Sequence, residues 1–446
     1  MCEKIRNYVY SMKDEIFQDL ADLVAIPSVK GKAEEGAPFG EKPKKALLKM
    51  KEICDDMNFK TTVYGDAVLC ADYAPDNAEI GLGILCHLDV VPVEKANWDT
   101  DPFMLTYKNG FLYGRGVIDD KGPAVAALWA LNCVKELNVP LKKGVRLIFG
   151  TDEENGSEDL EIYKKYDKFP PNVFTPDGSF PVINIEKGMV RSGFSGSLDG
   201  SGNIASMSGG NIPNAVPDRA CAEIFDSAES AENDTGECVS VLCRGKAAHA
   251  SSPQAGVNAV TKLISYINKN SLASGRQAEI LRGILKLFPH GETDGSSLGL
   301  KCSDSSGELT CVLSTFSMDR GKVSGTVDVR FPTCIELNTV KEKLKLSFAS
   351  IGLDYKMILG DEPHIVSENS EFVQKLLSVY EKVEGQKGRC IAIGGGTYVH
   401  NIDGGVAFGA ERGDTDYHMH GDNEFITAEE LLKDTVLFAN VISEVC

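Results

Sequence analysis

The chain has 446 residues, about three times the length that usually fills one domain, so more than one core is expected. Its 46 basic and 65 acidic residues leave a formal charge of −19, the wrong sign for a nucleic-acid or anionic-membrane surface. A composition 42% hydrophobic and 25% charged excludes a disordered chain, and thirteen cysteines without a CxxC pair exclude a disulfide framework or a cysteine-bound zinc site.

At the start, MCEKIRNYVYSMKDEIF holds no apolar run of signal-peptide length, and no later stretch approaches the roughly 20 apolar residues that cross a bilayer. A soluble cytoplasmic protein with no membrane partner is expected. Apolar residues recur at helical spacing from Tyr8 to Leu23 and from Lys44 to Met57, which predicts two amphipathic surface helices. Strand-like runs then alternate with helix: Ile80 to Cys86, a helix from Pro123 to Leu137 carrying AVAALWAL, Val145 to Phe149, and Asn172 to Thr175. This alternation predicts an α/β domain with a central, mostly parallel sheet flanked by helices, whose ligands bind at the carboxyl ends of the strands.

After Glu186 the texture turns to Gly, Ser and Asn, with strand-like runs at Arg219 to Phe225 and Val323 to Arg330. That predicts an α+β insertion. Helical pattern and Gly-rich loops resume at Ser367 to Val383 and Ile391 to Gly396. Thr427 and Glu430 then form a capping-box signature ahead of LLKDTVLFANVI. The expected layout is a catalytic domain from residues 1 to 186 and 364 to 446, interrupted by a second domain from 187 to 363.

Five segments carry candidate chemistry. His87 ends the apolar run ILCHLDVVP, with Asp89 on the same face of an extended strand. It reads either as a hydrogen-bonded core histidine or as a metal ligand whose tautomer a carboxylate holds. In YGRGVIDDKGP, Asp119 and Asp120 sit just before a helix, where an N-cap role is the structural alternative, above all for Asp120. LIFGTDEENGSED puts Asp152, Glu153 and Glu154 after a buried-looking strand, where like charges repel unless a cation is near. Asp177 in FTPDGSF follows another apolar run, and DYHMHGDNEF supplies His418 and His420. The set offers nitrogen and oxygen but no sulfur, which suits zinc, manganese or cobalt and can hold two ions through a bridging carboxylate. Hydrolysis is the reaction class that follows.

The series HLDVVP, GRGxxDDKGP, TDEE, PDG and MHGDNE resembles the dinuclear-zinc metallopeptidases that include carnosinase-like dipeptidases, glutamate-releasing carboxypeptidases, aminoacylases and succinyl-diaminopimelate desuccinylase. Within them it is most similar to the bacterial dipeptidase V group, through TPDGSFPVINIEKG, NAVPD, GKAAHAS, VDVRFP and GGGTY. The resemblance implies His87 and Asp177 on one metal, Glu154 and His420 on the other, and Asp119 bridging. Glu153 becomes the general base that moves a proton from the bridging water to the leaving amine, and Asp89 the partner of His87. In the inserted domain, a lid in the family, His249 is implied for the oxyanion and Arg330 for the substrate carboxylate. Asn214 is implied as another polar lid contact, and the Gly394, Gly395 and Gly396 loop is expected to bring backbone N–H groups to the same carboxylate.

Four positions stand apart. Cys86 precedes His87 where a glycine is common, and strand alternation turns its sulfur to the opposite face. His400 stands where related dipeptidases often have arginine, which bears on side-chain preference, while His290 and His364 match nothing and read as surface or structural. The expected activity is metal-dependent hydrolysis of dipeptides with a free C-terminal carboxylate, by a monomer whose large lid closes over a short peptide. The alternatives are an N-acyl amino acid deacylase or desuccinylase using the same metals, and a non-catalytic metal- or peptide-binding relative, which should have lost the base or a ligand.

Overall fold

The AVAALWAL segment lies in a helix over Lys121–Glu136 in the computed structural model, buried on every side from Lys121 to Val134. The structure describes residues 2–75, 78–226, 238–413 and 415–446. A helix apolar all round has to be enclosed, and Cys2–Ser11, Lys13–Val24 and Ala428–Val445 pack around this one, with the strands Ile80–His87 and Gly144–Gly150 on its other side. The chain divides into two compact units, the first of Met1–Asn184, Ile365–Ile391 and Gly396–Cys446, the second of Ile185–His364 and Ala392–Gly395.

A nine-stranded sheet dominates the first unit. Its order is Lys60–Tyr64, Val68–Tyr73, Gly144–Gly150, Ile80–His87, Val173–Thr175, Val406–Ala407, Val182–Glu186 and His364–Ile365, with Cys390–Ile393 beside Val182–Glu186. The central strands Gly144–Gly150, Ile80–His87, Val173–Thr175 and Val406–Ala407 are parallel, whereas Lys60–Tyr64 and Val68–Tyr73 are antiparallel to their neighbours. The strand Ile80–His87 is buried along nearly its whole length, as a strand covered on both faces must be. This is the expected α/β class, with helices packed on a mixed sheet that is parallel at its centre.

The helical pattern from Tyr8 to Leu23 forms two helices, Cys2–Ser11 and Lys13–Val24, because the chain leaves helical geometry at Met12. Ser11 Oγ bonds back to the Tyr8 carbonyl there, a competitor for the helical ladder. The last helix, Ala428–Val445, starts on the capping box that Thr427 and Glu430 predict.

The second unit holds a seven-stranded sheet in the order Cys238–Arg244, Arg219–Phe225, Ile204–Gly209, Thr310–Asp319, Lys322–Phe331, Gly188–Ser197 and Asp354–Asp361, antiparallel throughout. Gly188–Ser197 alternates buried and half-buried residues over its first seven positions, so one face carries a core of its own with Ala259–Lys269, Gly275–Leu287 and Leu337–Ser350. The cysteines are free thiols. No helix among the described residues is long and apolar enough to cross a membrane.

Candidate metal centre

Five side chains from five separate segments of the first unit converge. His87 closes the strand Ile80–His87 and pairs in register with Gly150 of its parallel neighbour. Asp119 lies just before the helix Lys121–Glu136, Glu154 in the single 3-10 turn Glu153–Asn155 after Gly144–Gly150, and Asp177 two residues beyond Val173–Thr175. His420 comes from the turn ahead of Phe425–Thr427. His87, Glu154 and Asp177 therefore sit where parallel strands release their carboxyl ends, and Asp119 sits at the start of a helix.

Asp119 divides its carboxylate between two groups. Its Oδ1 is 3.0 Å from His87 Nε2, which is also 3.8 Å from Asp177 Oδ2. Its Oδ2 is 2.8 Å from His420 Nε2, which is 3.1 Å from Glu154 Oε2. His87, Asp119 and Asp177 form one set whose ligand atoms lie within 4.8 Å of one another, and Asp119, Glu154 and His420 form another. His418 is outside both, with Nδ1 3.1 Å from the Asp422 carbonyl.

The electrostatics follow from this crowding. Burial, with the charges of Asp177 and Glu154, pushes Glu153 well above the usual carboxylate range. Burial takes Asp177 up to about 7, and burial with the charge of Asp119 raises Glu154. The Asp119 and Glu154 carboxylates raise His420 to about 11, and Asp119 is drawn far down by its two histidines against the effect of its burial. Carboxylates this close repel one another unless positive charge lies among them. Glu154 Oε1 is buried with no hydrogen-bond partner among the described residues, an oxygen suited to a cation rather than to a donor on this chain. With nitrogen and oxygen donors and no sulfur, each set fits a divalent cation such as zinc, manganese or cobalt.

Around these ligands is a layer of main-chain bonds that the sequence conceals. Asp89 meets His87 Nδ1 through its backbone carbonyl at 3.0 Å, nearer than its carboxylate at 3.5 Å. That carboxylate also accepts the N–H groups of Glu153 and Glu154, at 3.1 and 3.2 Å. Asp120 occupies the helix N-cap position but makes no side-chain capping bond, and its Oδ2 accepts the N–H of His87 at 3.0 Å. Glu424 is fully buried, paired with Arg115 and accepting the N–H groups of Gly116 and Ile118, so it holds the loop that delivers Asp119. Lys121 Nζ donates to the Leu23 and Ile26 carbonyls, and burial lowers its pKa to about 7. Arg115, Asp120 and Lys121 all fall inside GRGxxDDKGP, but nothing local marks which distant carboxylate, carbonyl or N–H each would meet. Cys86 is buried in the core and belongs to neither ligand set.

The second unit gathers its own candidates. Ala215 pairs with His249 on a short antiparallel bridge, and the Asn214 carbonyl accepts the Ala250 N–H at 2.9 Å. His249 Nδ1 is 2.7 Å from Ser251 Oγ. A Cβ on Gly394 would lie 2.6 Å from that of Ser251, so glycine is required for this approach. Arg330 is held by Asp328 through Nε at 2.6 Å and Nη2 at 3.3 Å, and its Nη1 donates to the Gly394 carbonyl at 3.3 Å. At Gly394 it is thus the C=O that meets the guanidinium. Gly395 belongs to the second unit and Gly396, whose Cβ would lie 3.2 Å from the His400 ring, to the first. His290 bonds Thr261 Oγ1 at 3.0 Å, a structural role.

The family model described as Peptidase family M20/M25/M40 matches residues 83–444. A protein of Staphylococcus haemolyticus named "putative dipeptidase" is 32% identical over 479 residues, covering 100% of this chain and 99% of its own. A Staphylococcus aureus protein of the same description is 32% identical over 477 residues with the same coverage. Among solved structures, human carnosine dipeptidase 1 superposes with a TM-score of 0.65 at 17% identity, covering 100% of this chain and 98% of that one. The M20 family metallo-carboxypeptidase Sso-CP2 of Sulfolobus solfataricus gives 0.64 at 18% identity, with 97% and 99% coverage. The chain belongs to peptidase family M20/M25/M40 and is a metallopeptidase.

Proposed function

We propose that this chain hydrolyses dipeptides bearing a free C-terminal carboxylate, with two divalent cations, zinc first among them, at the ligand sets His87/Asp119/Asp177 and Asp119/Glu154/His420. The observation that carries the reading is Asp119, which turns one oxygen to each set. The names of the curated relatives support the dipeptide as substrate. When bound, the cations supply positive charge that acidifies a water and polarises the scissile carbonyl.

The chain's own residues do the rest. Glu153, whose affinity for a proton its burial raises, takes the proton of the attacking water and returns it to the leaving amine. Asp89 holds Glu153 and Glu154 in place through their N–H groups. In the second unit, Asp328 and the Gly394 carbonyl occupy three of the five N–H groups of Arg330, which leaves one on each terminal nitrogen as a fork for the substrate carboxylate. His249, oriented by Ser251, is assigned to the developing oxyanion, and Asn214 with the Gly394–Gly396 loop to substrate contacts. The division at 186/187 and 363/364 into catalytic and lid domains, and a monomeric state, belong to the same reading.

A panel of unblocked dipeptides, N-acetyl amino acids and N-succinyl amino acids, assayed on metal-free protein and after adding zinc, manganese or cobalt, tests it. Metal-dependent release of free amino acids from the unblocked dipeptides is expected, with Glu153→Gln keeping its metal and losing turnover. Hydrolysis confined to the N-acyl substrates would establish the deacylase alternative instead.

A further inference from the structure

Tyr398, the last residue of the GGGTY motif, has no part in the chemistry above, yet it is only 2% exposed and packs against His87 of the first ligand set while bonding to Asp159 behind the segment that carries Glu154. Its ring stands edge-on to the imidazole of His87, with centroids 6.1 Å apart and planes at 89°. Its hydroxyl donates to Oδ2 of Asp159, a fully buried carboxylate. The same Oδ2 accepts the N–H of Thr151 at 2.6 Å and of Asp152 at 3.0 Å, and Oδ1 accepts that of Leu160 at 2.8 Å. Thr151 and Asp152 lead directly into Glu153 and Glu154. The approach is so close that a Cβ on Gly150 would lie 1.6 Å from the Tyr398 hydroxyl, so the strand paired with His87 must carry glycine there.

Two carboxylates thus hold the turn that presents Glu153 and Glu154: Asp89 from the His87 side and Asp159 from behind. Asp159 in turn is set by Tyr398, a residue far along the chain. We infer that Tyr398 is a positioning residue of the metal centre, acting on Glu154 through Asp159, so that its hydroxyl sets the cation affinity of the Asp119/Glu154/His420 set. The inference rests on the assignment of Glu154 as a ligand made above. The ring of Tyr398, as distinct from its hydroxyl, is packing for His87, and the two parts are separable by mutation.

Tyr398→Phe keeps the ring against His87 and removes only the hydroxyl. Zinc titration of the metal-free variant, followed by calorimetry, is expected to show one site at wild-type affinity and the other weakened roughly 10–100-fold, the usual cost of losing a residue that orients a ligand. Excess zinc should then restore kcat, with KM for the dipeptide unchanged. Asp159→Asn should weaken the same site, and the double variant should lose little more than either single one, since the two act in series. Both sites unchanged in Tyr398→Phe, or both weakened equally together with a fall in Tm, overturns the inference. If Tyr398→Phe does not fold, equal weakening of both sites in Asp159→Asn overturns it. A wild-type protein that binds two zinc ions and cleaves no dipeptide sinks the proposed function and leaves this inference standing. A wild-type protein that binds fewer than two overturns the ligand assignment beneath both.

Discussion

Oδ1 of Asp89 accepts the main-chain N–H of Glu153 at 3.1 Å, so the residue assigned as general base is held by its backbone from the strand end that carries His87. The other oxygen does the same for Glu154 at 3.2 Å. An asparagine at 89 would keep one acceptor and turn an NH2 group toward the remaining N–H, a donor facing a donor. Asp89→Asn should therefore fold but lose about 10–100-fold in kcat/KM, the scale seen when a group that orients a ligand is removed. Steady-state kinetics at saturating metal check this, and an unchanged rate would show that the turn keeps its geometry without Asp89.

Arg115 and Glu424 are 2% and 0% exposed and form an ion pair beneath the loop that delivers Asp119. Removing one side leaves a buried charge uncompensated, which costs about 3–5 kcal/mol. Arg115→Met should be destabilised on that scale, and Arg115→Met combined with Glu424→Gln should regain part of the loss because no bare charge remains. Urea unfolding of the three proteins tests the cycle. A loss below about 1 kcal/mol in the single variant would mean that the N–H groups of Gly116 and Ile118 suffice to hold Glu424.

Removing the cations should lower thermal stability as well as activity. A ligand present at about 100 times its Kd stabilises the folded state by about 2.7 kcal/mol, so chelation should lower Tm by several degrees. Protons compete for the same carboxylates and imidazoles, with Asp177 raised to about 7 and His420 to about 11 in the cation-free state. The gap between metal-loaded and chelated protein should accordingly narrow from pH 8 to pH 6. A gap independent of pH would count against these residues as the ligands.

In the second unit, the ion pair with Lys301, at 2.8 Å, and the Ser296 donors bring Asp294 down to about 2, from an ordinary value of 3.8. A carboxylate with a depressed folded-state pKa contributes stability that is fully present above about pH 4 and is lost as pH falls through about 2. Thermal unfolding should show wild type more stable than Asp294→Asn at pH 5, with the difference shrinking by pH 2.5. The difference will be small, because Lys301 is 67% exposed and solvent screens the pair. A difference that stays constant with pH would trace the effect to side-chain shape rather than charge.

Much of the candidate site was legible along the chain because most of its proposed ligands are announced locally. His87, Asp119, Glu154 and Asp177 each follow an apolar run or precede one, and strand ends in an alternating α/β pattern are where side chains can converge. The helix over Lys121–Glu136 and the capping box at Thr427 were readable for the same reason, since periodicity and capping are properties of neighbours. The comparison with known families then turned a list of acids and histidines into a peptidase.

What supports those ligands depended on the tertiary structure. Asp120 sits at the helix cap its position suggests but gives its side chain to the His87 N–H; Asp89 partners the His87 imidazole as the pattern suggests, and its carboxylate also holds the N–H groups of Glu153 and Glu154. Glu424 with Arg115, and Tyr398 with Asp159, join residues more than 200 positions apart. The sequence determined which donor atoms exist and near which strand ends they emerge, because those are local consequences of pattern. Which buried N–H or guanidinium each carboxylate satisfies was decided only when distant segments packed, because a buried polar group takes whatever partner the fold brings within about 3 Å of it.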